Sequence, residues 1–255
     1  FLVLASGIAS ADYLAYAVTD KGRSPLPERI DEIEAKHLVN VEWGDFAGKR
    51  TRAGILRVDN NSSAGTFRMT DSAGNTYESD WSAGGGMVPV NGIEAIVTDT
   101  MNRTGRFRLV ERAALGNVLG EQDLASSGRV AAPSGAATGQ VVGAELLVQF
   151  DITDYDVKTS GSTTGGGVLL RKVPLVGGVG IKSGKGRVGL NFRLIDATTS
   201  EVLYTKQVES IIKESGLMLA GAGWTGDAVL GAFMSNYAKT PIGQAVIAGI
   251  NKGVY

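Results

Sequence analysis

The sequence contains no cysteine and only one histidine, His37, among its 255 residues. Without cysteine the chain cannot form disulfides, thiolate metal sites or a cysteine nucleophile. A single histidine argues against a multi-histidine metal site and against a Ser-His-Asp triad. No other set of nucleophile, base and orienting group stands out. The sequence therefore predicts a protein that is not an enzyme and that holds no cofactor or metal.

An excess of either charge is also missing, because 25 lysines and arginines face 26 aspartates and glutamates. Proteins dedicated to nucleic acid normally show a basic excess, so no nucleic-acid partner is expected. Proline is scarce at 6 residues, whereas glycine reaches 36, about twice the roughly 7 % of ordinary proteins. With no Gly-X-Y period the chain is not collagen-like, so this glycine needs another explanation.

Glycine concentrates in two stretches, with ten glycines between residues 161 and 189 and five between 216 and 231. Glycine disfavours helices, and the interleaved apolar residues argue against a flexible Gly/Ser linker. Each stretch is long enough for two strands of about 9–11 residues, the length that crosses a bilayer in a β-barrel. We therefore expect two membrane β-hairpins, at about residues 157–190 and 208–238. The alternative for the second stretch is a transmembrane helix over 217–234, which its four internal glycines and the central Asp227 oppose.

Apolar periodicity outlines an ordinary domain around these two stretches. Alternation and turn residues predict short strands at 53–58, 107–110, 146–153 and 187–194 and from Glu201. Helical spacing and start signals predict helices after Pro89, from Glu111 and from Pro241. This mixture predicts an α+β core in which helices pack on one face of a small sheet. The glycine-rich stretches are insertions between the strands of that core.

The N-terminal region divides into two parts. Residues 1–11 have the character of a signal-sequence or anchor remnant, although Ile8 stands where a lipoprotein would have its lipid-accepting cysteine. An ordinary buried strand or helix start is the equally weighted alternative. Residues 12–51 form a charge-rich N-terminal extension. At the other end the helical pattern runs to the last residues, so the gene product is expected to continue.

One helix is expected within this extension, entered through Pro27. Ile30, Ile33 and His37 would then lie along one face of it. A histidine on such a face is more often a packing residue than a ligand, and we expect His37 to be one.

Two further patterns suggest ligand sites but lack the necessary context. Residues 184–189 fit G-x-G-x-x-G, yet an alternating strand follows where a dinucleotide site needs a helix. Asp151, Asp154 and Asp156 could suggest calcium, but the glycine of a calcium-binding loop is missing. Both patterns are expected to be parts of strands.

Three segments carry a resemblance to a known family. FRLVERAALGNVLGEQDL resembles the strand and helix that bear the LxER motif of the curli secretion channel family, which includes CsgG and the related HfaB-like holdfast-anchor proteins. GAELLVQFDITDY and VGLNFRLIDATTSEVLYTKQV resemble the strands that follow in that family. The segments occur in family order over residues 52–255, with the glycine-rich stretches where the family carries its two membrane hairpins.

The resemblance implies a bacterial outer-membrane lipoprotein with a periplasmic α+β domain. Family members assemble as a homo-oligomeric ring, nonameric in the curli channel, and each protomer adds two β-hairpins to one large transmembrane β-barrel. The implied function is passive export of an unfolded curli-like or adhesin subunit. The implied partners are further copies of the chain, outer-membrane lipid and a secreted polypeptide or adhesin.

The resemblance also implies where the pore narrows. In the family a loop between the first strand and the first helix forms the constriction, and its counterpart here is residues 66–88. By position, the implied constriction residues are Tyr77, Asp80 and Trp81, with Asp80 replacing an asparagine and Trp81 a phenylalanine. Aromatic rings offer sequence-tolerant contacts to an extended chain, and a ring of Asp80 side chains would favour cations. Packing of Tyr77 and Trp81 within the loop is the alternative.

Two other functions stay open at this point. The first is a non-conducting cell-envelope anchor or scaffold ring for a surface adhesin or appendage. The charge-rich extension favours an added partner contact of that kind. The second is a soluble periplasmic regulator with the same α+β fold.

Overall fold

The computed structural model describes residues 14–62, 66–70, 76–80, 88, 90–131, 133–159, 184–213 and 237–255. Residues 66–70, 76–80, 157–159 and 184 are described by their backbone alone. Most of the two predicted membrane hairpins lies outside the described residues. The alternative helix 217–234, residues 1–11 and Trp81 lie outside them too. Within the described part of the chain, no helix is long and apolar enough to cross a membrane.

The described residues form strands, α-helices and two single-turn 3-10 helices. The strands are β1 (Ala15–Thr19), β2 (Gly22–Pro25), β3 (Val41–Trp43), β4 (Thr51–Ile55), β5 (Asp59–Asn60), β6 (Thr66–Thr70), β7 (Thr76–Asp80), β8 (Phe107–Val110), β9 (Leu146–Thr159), β10 (Gly184–Asp196) and β11 (Val202–Ile212). The α-helices are α1 (Val90–Arg103), α2 (Leu115–Ser126) and α3 (Pro241–Val254).

A small antiparallel sheet of order β2-β1-β3 occupies the N-terminal region. The 3-10 helices Ile30–Glu32 and Ala35–Leu38 connect β2 to β3. The prediction of one helix with His37 on an apolar face is wrong, because Ile33 and Glu34 are extended between the two turns. This break in the helix leaves His37 exposed and not packed.

The larger sheet has the strand order β11-β10-β9-β4-β8, and β5 pairs with the middle of β9. β10 is antiparallel to both β9 and β11. The pairs β4–β8, β4–β9 and β5–β9 are parallel. Parallel neighbours need crossover connections, and here α1 and α2 lie in those connections. This mixed sheet with its helices confirms the predicted α+β fold.

Burial along β9 follows the predicted alternation and then changes phase. The apolar residues Val148, Phe150 and Ile152 are buried, and the polar Asp151 between the last two is buried too. In the register with β10, Ile152 and Asp154 stand opposite consecutive residues, so Thr153 has no partner. A bulge of this kind places two residues of one strand opposite one of the other. The bulge therefore turns Tyr155, and not Asp154, toward the core.

The C-terminal helix α3 lies at the centre of the described core. Every residue from Pro241 to Asn251 is buried, which fits a helix that is apolar on all sides. α3 packs on β10 and β11, beside α1, and against the 3-10 helix Ala35–Leu38. The Asn251 side chain donates a 2.8 Å hydrogen bond to the Leu38 carbonyl. Residues 14–44 therefore share their core with the larger sheet.

The other predicted elements are present with shifted ends. The strand at 107–110 is β8, and the helix after Pro89 is α1, which buries its apolar face as expected. The strand expected at 53–58 is β4, which starts at Thr51 and ends at Ile55. The amphipathic helix expected from Glu111 begins only at Leu115, and none of its residues is buried. That helix, α2, is therefore not a core helix of this chain.

Candidate functional site

The segment predicted to form the constriction, residues 66–88, contains a hairpin. β6 pairs antiparallel with β7, with Met69 opposite Tyr77 and Thr66 opposite Asp80. The predicted loop is therefore wrong for residues 66–70 and 76–80, which are paired strands. The signal for the hairpin is two alternating runs, TFRMT and TYESD, around the turn residues of DSAGN.

Both ends of this segment are fastened to the domain. At the start, the Asn61 N–H donates to the Ile152 carbonyl at 2.8 Å. Beside it, the Asn60 side chain accepts hydrogen bonds from the N–H and the hydroxyl of Ser62. At the other end Val88 is fully buried just before α1. These contacts fix the two points at which the hairpin segment leaves the domain.

The larger sheet runs directly into the predicted membrane hairpins at one end. β9 and β10 remain paired as far as Thr159 opposite Gly184. β11 pairs with β10 as far as Ile212 opposite Gly186. The glycine-rich stretches begin beyond these residues, and the chain returns to the domain at Tyr237. We call this end of the sheet the hairpin end.

Two buried tyrosines meet at the hairpin end. Tyr155 belongs to β9, which leads into the first predicted hairpin, and Tyr237 lies at the end of the second predicted hairpin. Their hydroxyl oxygens are 3.1 Å apart. Burial raises the pKa of the Tyr155 hydroxyl well above its ordinary value, so this hydroxyl stays protonated at physiological pH. The contact joins the strand that enters one stretch to the segment that returns from the other.

The start of α3 approaches the hairpin end so closely that two positions require glycine. A Cβ added at Gly186 would collide with the backbone at Ile242, and one at Gly243 with the Tyr237 carbonyl. The Thr240 hydroxyl accepts a 3.1 Å hydrogen bond from the Gly243 N–H and so caps α3. The backbone of α3 is thus held against β10 without intervening side chains.

Arg187 links the three long strands near the hairpin end. Its Nε lies 3.2 Å from Asp154 Oδ2 on β9 and also bonds the Glu209 carboxylate on β11. Deeper in the sheet, the buried Asp151 accepts hydrogen bonds from the side chains of Gln149 and Asn191. These acidic groups are therefore engaged in contacts within the sheet.

The two patterns that suggested ligand sites are parts of strands, as predicted. Residues 184–189 lie in β10, and Asp151, Asp154 and Asp156 lie in β9. Among the residues that the structure describes, no group of three or more His, Asp or Glu side chains could hold a metal ion.

The Leu109–Arg112 motif fixes the connection between β8 and α2. The Glu111 carboxylate accepts a 2.7 Å hydrogen bond from the Ala114 N–H at the start of α2. Arg112 donates to the Val142 carbonyl at 2.9 Å, and its side chain covers Gly54 of β4, where a Cβ would collide with it. The motif thus ties the start of α2 to β4 and to the segment before β9.

A cavity of about 710 Å³ lies at the opposite end of the long strands. It opens between the N-terminal sheet, the larger sheet and the end of α3, and apolar groups form most of its lining, among them Leu14, Met101, Phe192, Val254 and Tyr255. The length of the strands separates this cavity from the hairpin end.

These features define an α+β domain whose mixed sheet continues at one end into two inserted glycine-rich stretches. The chain belongs to the CsgG family, described as curli production assembly/transport component CsgG, whose model matches residues 45–255. The family resemblance is thereby confirmed. The match begins after β3, so the N-terminal sheet lies outside it.

Comparison with curated protein sequences gives no match. Among solved structures, the chain is similar to the hypothetical protein CT253 from Chlamydia trachomatis, with 11 % identity, 81 % of this chain and 98 % of that chain covered, and a TM-score of 0.38. Protein XCC0632 from Xanthomonas campestris is 10 % identical, with 80 % of this chain and 86 % of that chain covered and a TM-score of 0.35. The PelC dodecamer from Paraburkholderia phytofirmans is 12 % identical, with 80 % of this chain and 92 % of that chain covered and a TM-score of 0.29. These TM-scores are too low to support an argument about function or assembly.

Proposed function

We propose that this chain is the subunit of a ring-shaped outer-membrane channel that exports an unfolded protein by passive conduction. Membership of the CsgG family over residues 45–255 supports a transport or assembly component. The main observation in favour of a channel is the hairpin end of the sheet. There β9, β10 and β11 are still paired with one another where the chain enters and leaves the glycine-rich stretches. Closing hairpins from all protomers into one barrel satisfies every backbone group in the bilayer.

In this proposal each protomer supplies two hairpins, at about 157–190 and 208–238, to a ring that is nonameric by family resemblance. The described α+β domain stands in the periplasm beneath the barrel. The hairpin segment 66–88 narrows the pore through Tyr77, Asp80 and Trp81, and its two fastened ends hold it in a constant place. The partners are outer-membrane lipid and a secreted curli-like or adhesin polypeptide.

Single-channel conductance of purified rings tests this function. Replacing Tyr77 and Trp81 together by alanine removes two rings of aromatic side chains, so conductance rises. Asp80→Asn keeps the size but removes the charge, so cation preference falls at nearly constant conductance. The matched control is Phe46→Ala, because Phe46 is an exposed aromatic residue between β3 and β4. Unchanged conductance in the double variant contradicts the assigned constriction, and wild-type protein without rings contradicts the channel itself.

A non-conducting anchor ring is the second candidate, and the N-terminal sheet favours it. That sheet lies outside the family match, and every residue of its edge strand β2 is exposed. An exposed edge strand offers unpaired backbone groups to a partner strand. Rings that conduct no ions, and that bind an envelope protein only while β2 is intact, would support the anchor over the channel.

A further inference from the structure

We propose that the outer edge of β8 binds an extended acidic segment of another polypeptide, which joins the larger sheet as a further strand. This surface goes beyond the proposed function, because a conducting channel and a non-conducting anchor ring both present it. A cluster of arginines, a free strand edge and the distance of both from the hairpin end point to such a partner.

Four arginines lie at the β8 side of the larger sheet. Arg52 of β4 and Arg108 of β8 stand opposite each other in a parallel pair, so their side chains leave the same face of the sheet. Gly54 shares this face with Arg52 because side chains alternate along a strand, and the side chain of Arg112 lies over Gly54. Arg106 immediately precedes β8. We call Arg52, Arg106, Arg108 and Arg112 the arginine cluster.

Only one member of the arginine cluster is paired with a carboxylate in the described part of the chain. Arg52 Nη2 lies 3.4 Å from Glu145 Oε1. Arg106 and Arg112 donate to backbone carbonyls, which carry no net charge. The side chain of Arg108 is exposed and has no hydrogen-bond or ion-pair partner among the described residues. Since a guanidinium group pairs best with a carboxylate or a phosphate, the cluster predicts an anionic ligand.

β8 is the outermost strand of the larger sheet, and β4 is the only described strand that pairs with it. Its outer edge therefore offers backbone N–H and carbonyl groups to an extended chain. In an added strand, alternate residues face the side of Arg108, and the residues between them face the side of Phe107 and Leu109. Phe107 and Leu109 are apolar and pack against the core. The predicted partner segment therefore alternates acidic and apolar residues.

The distance from the hairpin end favours a polypeptide over a membrane as the source of the anionic groups. Glu145, the partner of Arg52, immediately precedes β9, whereas the hairpin end lies near Thr159 at the other end of that strand. At about 3.3 Å per residue, the strand separates the two by about 40 Å. A nucleic acid is not favoured either, because the whole chain has a net charge of -1.

Charged residues on an edge strand also protect it against pairing with other chains. Arginines oppose apolar and basic strands, because such strands leave the guanidinium groups without a counter-ion or repel them. A strand that carries carboxylates on the same face is favoured, because cross-strand pairs of opposite charge are stabilising. The arginine cluster therefore selects the partner by its charge, while the backbone of β8 binds it.

Fluorescence anisotropy with a labelled peptide that alternates Glu and Val tests this surface on the full-length protein in detergent. We expect the wild-type protein to bind the peptide and Arg108→Gln to bind it at least about tenfold more weakly, because a charge-assisted hydrogen bond is lost. The matched control is Arg23→Gln, because Arg23 is an exposed strand arginine that already pairs with Glu42. This control should bind the peptide as wild type does, and a peptide with Lys in place of Glu should not bind.

Methylation of the peptide backbone separates strand addition from charge attraction alone. Successive N–H groups of a paired strand point to opposite edges. N-methylation at every second residue should therefore abolish binding when the methyl groups face β8 and leave it intact when they face away. Equal binding of the two methylated peptides contradicts strand addition.

The other outcomes are equally decisive. Unchanged binding to Arg108→Gln, or equal binding of the Lys peptide, overturns the acidic partner. If the wild-type protein does not bind the Glu and Val peptide, the arginines only protect the edge and the proposed surface is wrong. Tighter binding to phosphatidylglycerol vesicles than to the peptide assigns the arginine cluster to a lipid surface instead. Because none of these measurements depends on ring conductance, a failure of this surface leaves the channel standing, and the reverse holds too.

Discussion

Tyr155 shows how one residue acquires a role through its neighbours. It faces the core because Thr153 is bulged, and its hydroxyl then meets that of Tyr237 at 3.1 Å. The pair spans 82 residues of sequence and both rings are buried. It thereby fastens the two proposed membrane hairpins to each other where they join the domain.

Replacing Tyr155 by phenylalanine removes this hydroxyl and keeps the ring. A hydrogen bond between neutral groups contributes about 1 kcal/mol, so the free energy of unfolding should fall by about that amount in a urea titration. The matched control is Tyr204→Phe, because the side chain of Tyr204 is 52 % exposed. Loss of its hydroxyl should change the free energy of unfolding by less than about 0.5 kcal/mol. Equal effects of the two substitutions would mean that the buried pair contributes nothing.

At the scale of elements, α2 and α3 are opposites. α3 is buried from Pro241 to Asn251 and packs on the larger sheet, on α1 and on the 3-10 helix Ala35–Leu38, whereas α2 buries none of its residues. Their glycines differ accordingly. Gly243 abuts the Tyr237 carbonyl, while a Cβ at Gly120 of α2 would meet nothing within 4 Å.

The same substitution should therefore have opposite effects in the two helices. Gly243→Ala forces the start of α3 away from Tyr237, and overpacking of this kind typically costs about 1–3 kcal/mol. Gly120→Ala reduces the freedom of the unfolded chain in an open helical site and should stabilise by about 0.5–1 kcal/mol. Melting temperatures of the two variants beside wild type provide the measurement. A stabilised Gly243→Ala protein would contradict the close approach of α3.

At the scale of the whole molecule, the N-terminal extension is part of the domain core. The end of α3 holds it through the hydrogen bond from Asn251 to Leu38 and through the Tyr255 hydroxyl, which donates to the Leu26 and Pro27 carbonyls. Arg103 of α1 adds a 2.6 Å hydrogen bond to the Val41 carbonyl. The family match begins at residue 45, yet residues before and after this point belong to one hydrophobic core.

We therefore expect the extension and the larger sheet to unfold together. Trp43 of β3 packs beside the Tyr255 ring at a centroid distance of 6.3 Å, so its fluorescence reports the junction. In a protein with Trp81→Phe and Trp224→Phe, the fluorescence and circular dichroism transitions in urea should coincide, as two-state unfolding requires. The further substitution Trp43→Phe should abolish the fluorescence transition and leave the circular dichroism transition in place. An earlier transition of Trp43 would show that the extension folds separately.

Local patterns in the sequence were sufficient for the types of most elements. Apolar alternation located β9, β10 and β11, helical spacing located α1 and α3, and their mixture indicated an α+β domain with two inserted stretches. The family resemblance, confirmed over most of the chain, came from contiguous motifs such as Leu109–Arg112. Each of these signals is contained in a short window, and this is why a single sequence reveals them.

Only the tertiary structure decided which surfaces meet. The extended residues Ile33 and Glu34, the bulge at Thr153 and the contact of Asn251 with Leu38, 213 residues apart, have no signal in a short window of sequence. The assignment of Tyr77, Asp80 and Trp81 to a constriction stays a prediction, because it concerns a pore built by several copies. The sequence by itself therefore determined the elements and the family of this protein. Register and packing were decided by long-range contacts, which residue periodicity does not encode.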